Sequence, residues 1–215
     1  LEGFADVDQI KILVFYPTGG VSKIQNLQMC TQKGANVRVV AVKGNFDDAQ
    51  NGVKEIFGNK AFGEKLAAGN VKLSSANSIN WGRLVPQIVY YFSAYADLVE
   101  KGAIQAGEEI DFCVPTGNFG DILAGYYAKR MGLPVAQLVC ASNSNNVLTD
   151  FLQTGVYDKK RDFYKTISPS MDILISSNLE RLLYHETQDA ALVRGWMEEL
   201  AAKGRYEVGE TVLQN

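Results

Sequence analysis

The chain has one histidine, His185, among 215 residues. A lone imidazole cannot assemble a Cys/His metal cluster, and any Ser-His-Asp relay would rest on it alone. It lies beside Leu182, Leu183, Tyr184 and Glu186 near an expected helix end, where a structural or surface role is expected. Cysteine is scarce as well. Cys30, Cys113 and Cys140 make an odd set with no C-x-x-C spacing, so no disulfide framework is expected. Cys113 and Cys140 fall inside apolar strand-like runs and are expected as small buried hydrophobes. Positive charge is also lacking: Lys and Arg total 21 against 24 Asp and Glu, for a net charge of −3. The only dense basic stretch, 159–161, is flanked by Asp158 and Asp162 and reads as a solvated loop. Nucleic-acid binding therefore has no electrostatic basis here. No apolar run approaches the roughly 20 residues of a membrane span, and the first residues show no basic n-region with a cleavage site. A soluble, cytoplasmic protein with no membrane partner is expected.

What is present is an ordinary globular composition, 47% apolar and 21% charged, long enough for one large domain or two lobes. Strand-like runs at 10–16, 37–42, 71–73, 110–114 and 135–140 are each followed by a polar or glycine turn and a helix. That alternation, at about 30-residue spacing, argues for an α/β fold with parallel strands and flanking helices. Ser22 should cap a helix to about Gln32, with Ile24, Leu27 and Gln28 as its buried stripe. A second helix from about Asp47 should turn Val53, Ile56 and Phe57 inward. A long helix after residue 83 should bury Leu84, Ile88, Phe92, Tyr95 and Val99, with Pro86 early enough to be tolerated or to bend it. From about Asp150 the pattern becomes helical, with helices expected at 147–152, 172–184 and 189–202 and no convincing strand.

In such folds ligands bind at the carboxyl ends of the strands, where the loops carrying Gly19, Gly44, Asn77 and Gly117 should lie. The most informative loop is 112–121, Phe-Cys-Val-Pro-Thr-Gly-Asn-Phe-Gly-Asp, in which an apolar strand breaks into a glycine turn and opens a helix at 122–131. Gly117 and Gly120 let the backbone approach an anion, and the first N–H groups of the helix have no intrahelical partner. Thr116, Asn118 and Asp121 are candidate polar groups around that anion or the helix start. The spacing is neither G-x-G-x-x-G nor a Walker loop. A second polar segment, 74–83, reads Ser-Ser-Ala-Asn-Ser-Ile-Asn-Trp-Gly-Arg. Its side chains can serve as helix capping, with Asn80 as the cap. Alternatively, Asn77, Ser78 and the forked cation of Arg83 form a second anion site.

Together, four segments resemble threonine synthase, a fold type II pyridoxal-phosphate enzyme. They are Val-Pro-Thr-Gly-Asn-Phe-Gly-Asp at 114–121, Asn-Ser-Ile-Asn-x-x-Arg at 77–83, Tyr-Pro-x-Gly-x-Val-Ser-x-Ile-Gln at 16–25 and Ser-Met-Asp at 170–172. The match runs through nearly the whole chain in the expected order. It implies a tryptophan synthase β-like fold, with residues 1–72 in the smaller cofactor-side lobe and 73–215 in a larger lobe ending in helices. It also implies a carbon–oxygen lyase that acts on phosphate, converting O-phosphohomoserine and water to L-threonine and phosphate. By position, Gly117, Asn118, Phe119, Gly120 and Asp121 would hold the phosphate of pyridoxal 5'-phosphate, and Asn77, Ser78 and Arg83 that of the substrate.

The departures from the family pattern matter equally. The Phe-Lys-Asp string that carries the Schiff-base lysine is absent, as are Ser-Gly-Asp-Thr-Gly and the segment that closes over the pyridine ring. Lys11, Lys23, Lys33 and Lys43 stand in the wrong contexts to substitute. The expectation is an internal portion of a longer enzyme, inactive alone, opening at Leu1 and self-associating through apolar surface. Two alternatives stand: another fold type II enzyme, such as a dehydratase or cysteine synthase relative, and a non-catalytic anion-binding remnant.

Overall fold

Two parallel strand pairs organise the chain, and in each the first strand leads through a glycine-containing turn into a helix. The computed structural model describes residues 1–44, 46–76 and 80–213. They form two units, Leu1–Ser74 and Ser75–Asn215.

The first unit runs β1 (Ile12–Pro17), α1 (Lys23–Cys30), β2 (Val37–Val42), α2 (Phe46–Gly58) and α3 (Lys60–Ala68). β1 and β2 pair in parallel from Ile12 opposite Val37 to Pro17 opposite Val42. α1 starts where expected: Ser22 Oγ accepts from the Gln25 N–H at 3.1 Å, and Gln25 Oε1 accepts from the Ser22 N–H at 3.0 Å, a reciprocal cap. Its expected buried stripe does not form, because Ile24 and Leu27 are 70% and 50% exposed and Gln28 is exposed too. In α2, Val53 is half-buried while Ile56 and Phe57 are exposed. Helical spacing says which side chains share a face, and Ile24, Leu27, Ile56 and Phe57 stay largely exposed. The strand expected at 71–73 is extended chain without a ladder, because the Val71 N–H closes α3 by donating to the Leu66 carbonyl at 2.9 Å.

The second unit opens with α4 (Trp81–Leu84), a 3-10 turn at Val85–Gln87 and α5 (Ile88–Glu100). The turn contains Pro86 and tightens the helix from 3.6 to about 3 residues per turn, which rotates the face that follows. Tyr91 consequently enters the core at 4% exposure, whereas Phe92, expected inside, is 37% exposed. β3 (Ile110–Pro115), α6 (Gly120–Arg130) and β4 (Val135–Ala141) follow, with β3 and β4 parallel. Leu84, Leu123 and Ala124 are fully buried at the centre of this unit, against Val114, Val135 and Tyr91. Cys113 points to the exposed side of β3 and corrects the expectation of burial, while Cys140 is half-buried. Burial pushes the Cys140 thiol up, against a smaller lowering by the Thr116 hydroxyl.

The remainder comprises α7 (Val147–Thr154), β5 (Val156–Asp158), α8 (Leu179–Thr187), α9 (Ala190–Lys203), β6 (Arg205–Glu207) and α10 (Glu210–Leu213). The expectation of helices alone here is corrected: β5 and β6 pair antiparallel, and Tyr157 stacks on Tyr206 at 5.3 Å between ring centroids. The basic stretch at 159–161 is not merely solvated, since Arg161 pairs with Asp150 at 2.7 Å. The helix expected at 172–184 begins only at Leu179. Residues before it are committed elsewhere. The buried Asp172 carboxylate accepts from Asn143 Nδ2 at 2.7 Å and Thr166 Oγ1 at 2.6 Å, and Ser176 and Asn178 reach the loop after β3. His185 sits in the last turn of α8, where its Nε2 is 2.7 Å from the Tyr127 hydroxyl.

Candidate functional site

The loop between β3 and α6 is set by its two ends. At the strand end the Thr116 N–H donates to the Ala141 carbonyl at 2.8 Å, the last bond of the parallel ladder. At the helix end the Leu123 N–H donates to the Phe119 carbonyl at 3.2 Å. Between them, the amides of residues 117–122 meet no backbone carbonyl acceptor among the described residues. Such a run of unsatisfied donors at the start of an 11-residue helix could hold an anion on its amides.

Two features give the loop this shape. Phe119 occupies the helix N-cap position at φ 61°, ψ 10°, a left-handed conformation uncommon for a bulky residue, and its ring is buried. A left-handed residue followed by a right-handed one turns successive N–H groups toward one side, the arrangement of an anion nest. Gly117 packs so closely on the 3-10 turn at Pro169–Met171 that a Cβ there would lie 3.2 Å from Met171 Cα and 3.3 Å from the Ser170 carbonyl. A side chain at 117 would therefore require the strand end or that turn to give way by a few tenths of an ångström.

The pocket over the loop is lined by residues 115–122, by Ser170 and Met171, and by Arg83 and Gln87. Arg83 is thus brought to the loop, with its Nη1 donating to the Ala76 carbonyl at 3.0 Å. Gln87 was missed by sequence reasoning: it lies one turn beyond Arg83 and donates to the Arg83 carbonyl at 2.9 Å, so its signal is helical spacing alone. Asn77 and Ser78 lie outside the described residues. Asn80 serves as the helix cap, with Oδ1 accepting from the Gly82 N–H at 2.9 Å.

Several polar side chains of the loop are bonded within the protein. Thr116 is buried, and its hydroxyl donates to the Val114 carbonyl at 2.7 Å, which removes it as an anion ligand. Asn118 Oδ1 accepts from Ser177 Oγ at 3.4 Å. Asp121 stands in the first turn of α6, where its charge favours the positive helix end, and the Tyr91 hydroxyl donates to its carbonyl at 2.8 Å and to its Oδ1 at 3.3 Å. Burial first, and the Asp121 charge second, push the Tyr91 phenol above its ordinary range, so it stays a proton donor.

No family model matches the chain. Individual proteins do match. Human threonine synthase-like 1 is 44% identical across the whole chain, which spans 30% of that protein. Threonine synthase of Saccharomyces cerevisiae is 39% identical over 99% of the chain and 42% of its own length. A crystal structure of threonine synthase from Brucella melitensis with bound pyridoxal phosphate superposes at a TM-score of 0.83 and 45% identity, over 99% of this chain and 44% of that one. The chain is a threonine synthase homologue. It spans less than half the length of each of these relatives. The shared fold is that of a fold type II enzyme, α/β with parallel strands flanked by helices. Among the described residues no helix is long and apolar enough to cross a membrane.

Proposed function

We propose that this chain supplies the anion-holding portion of a threonine synthase that uses pyridoxal 5'-phosphate. Residues 117–121 would take the cofactor phosphate on their amides, and Arg83, with Asn77 and Ser78, the phosphate of O-phosphohomoserine. In this reading residues 1–72 belong to the smaller cofactor-side lobe and 73–215 to the larger one. The single observation that supports it best is the unsatisfied amide run at 117–122 opening into the same pocket as Arg83.

The residues present fit a phosphate. Amide donors and a helix N-terminus match an anion with several acceptor oxygens, and the close passage at Gly117 leaves the backbone itself as the binding surface. When bound, the cofactor supplies the electron sink, and the protein supplies binding and orientation. The chain's own contribution is positional. The loop fixes one phosphate, Arg83 offers a planar fork of donors to a second, and the buried Phe119 ring keeps the turn rigid between them. These 215 residues contain neither the Phe-Lys-Asp nor the Ser-Gly-Asp-Thr-Gly string, so they are proposed to bind without turning over.

Three titrations test this. Pyridoxal phosphate should bind and pyridoxal should not. Arg83→Ala should weaken a phosphohomoserine analogue at least about tenfold while leaving pyridoxal phosphate unchanged. Equal binding of pyridoxal and its phosphate would refute the loop assignment. An analogue indifferent to Arg83 would point instead to a fold type II enzyme acting on unphosphorylated substrates. A stoichiometric imine band that borohydride fixes to one lysine would contradict the absence of turnover chemistry.

A further inference from the structure

The loop's amides are aimed by groups that lie outside the pocket lining. Ser176 Oγ donates to the Gly117 carbonyl at 2.9 Å. Asn178 donates to the Asn118 carbonyl twice, from Nδ2 at 2.9 Å and from its backbone N–H at 3.1 Å. A trans peptide is planar, and its C=O and N–H point in opposite directions. Holding the Gly117 carbonyl back therefore directs the Asn118 N–H forward, and holding the Asn118 carbonyl back does the same for the Phe119 N–H.

Asn178 is itself held. It occupies the N-cap position of α8, yet its side chain makes no capping bond to that helix. Its Oδ1 instead accepts from Arg181 Nε at 3.0 Å, which leaves Nδ2 for the Asn118 carbonyl. The Arg181 guanidinium in turn lies 5.7 Å from the ring centroid of Trp81, the first residue of α4, which also carries Arg83. Asn178 is fully buried and Ser176 nearly so, so water does not compete for these bonds.

We propose that Ser176 and Asn178 are positioning residues for anion recognition, fixing the 117–118 and 118–119 peptide planes so that the Asn118 and Phe119 amides face the pocket. This rests on the reading of the loop as a phosphate site. It also accounts for the irregular segment before α8, since residues bonded to the loop cannot follow a helical path.

The test uses the whole 215-residue chain and two probes, inorganic phosphate and pyridoxal phosphate. In amide-resolved NMR titrations of the unaltered chain, phosphate should move the Asn118 and Phe119 amide protons downfield more than any others. Ser176→Ala and Asn178→Ala should each weaken pyridoxal phosphate by about 10–100-fold, measured well below the melting midpoint of each variant, and abolish those two shifts. Ser176→Thr keeps a hydroxyl and should recover the affinity. If the unaltered chain binds phosphate while its Asn118 and Phe119 amides stay still, or if both alanine variants bind as well as the parent, the positioning role is overturned and the phosphate reading stands. If the unaltered chain binds neither probe, the phosphate reading falls and this role with it. Should an alanine variant fail to fold, the titration of the unaltered chain decides alone.

Discussion

The two units each end a first parallel strand on Pro-Thr-Gly, at 17–19 and at 115–117. In both, the threonine N–H makes the last ladder bond at 2.8 Å, from Thr18 to the Val42 carbonyl and from Thr116 to the Ala141 carbonyl. Beyond that point they diverge. In the first unit Gly19 takes the left-handed turn at φ 76°, the Gly20 N–H bonds the Pro17 carbonyl at 3.0 Å, and Ser22 and Gln25 cap α1 reciprocally. In the second the left-handed residue comes later, at Phe119, and α6 has no side-chain cap. One helix start is capped by its own side chains; the other has no side-chain cap, and its 117–122 amides meet no backbone acceptor among the described residues. Burial differs in the same direction. Among the described residues of the first unit only Pro17 and Val37 are buried, whereas the second surrounds its loop with a continuous core.

The largest effects should separate the units by stability. Leu123→Ala removes a fully buried side chain and should cost about 2–5 kcal/mol in urea unfolding. Leu27→Ala, at a half-exposed site in α1, should stay within about 0.5 kcal/mol. Equal losses would mean that α1 is covered in solution.

A paired glycine exchange sharpens the contrast between the loops. Gly117→Ala places a methyl against the backbone of Ser170 and Met171, so the strand end or the 3-10 turn must move. It should cost about 1–3 kcal/mol and weaken phosphate binding at least tenfold. Gly19→Ala meets nothing within 4 Å and strains only its positive φ, so about 1 kcal/mol and unchanged phosphate binding are expected. Ser22→Ala should likewise cost about 1 kcal/mol through the lost cap, with no change in phosphate affinity.

The smallest effect is confined to alkaline solution. Tyr91 and Tyr206 are raised from the ordinary tyrosine value of 10.0, in both cases chiefly by burial, so the folded chain holds their protons more tightly than the unfolded chain does. Their contribution is fully present below about pH 10 and is lost as pH rises through the folded values. Melting midpoints should therefore fall above about pH 10, and Tyr91→Phe should make that fall shallower. An unchanged alkaline slope would show that Tyr91 does not hold its proton against Asp121.

Much of the fold was legible because its signals are local. The β-branched runs expected at 37–42 and 110–114 became strands, Ser22 and Asn80 became caps, and glycine marked the loop at 117. The failures share a cause. Ile24 and Leu27 had correct spacing but stayed exposed, Phe92 lost its place to Tyr91 through a 3-10 turn, and 172–178 gave up helix for bonds to residues between 6 and 60 positions away in sequence. Periodicity carries no information about such distant partners.

The sequence by itself determined that a glycine turn would join an apolar strand to a helix at 112–121, because chain stiffness and φ freedom are properties of neighbouring residues. It also placed Arg83 at the start of another helix. Only the tertiary structure decided that this turn, and not its Pro-Thr-Gly counterpart, keeps its amides unpaired and shares a pocket with Arg83. The physical reason is that a peptide plane faces whichever way its carbonyl is held, and the groups holding the Gly117 and Asn118 carbonyls come from Ser176 and Asn178, far along the chain.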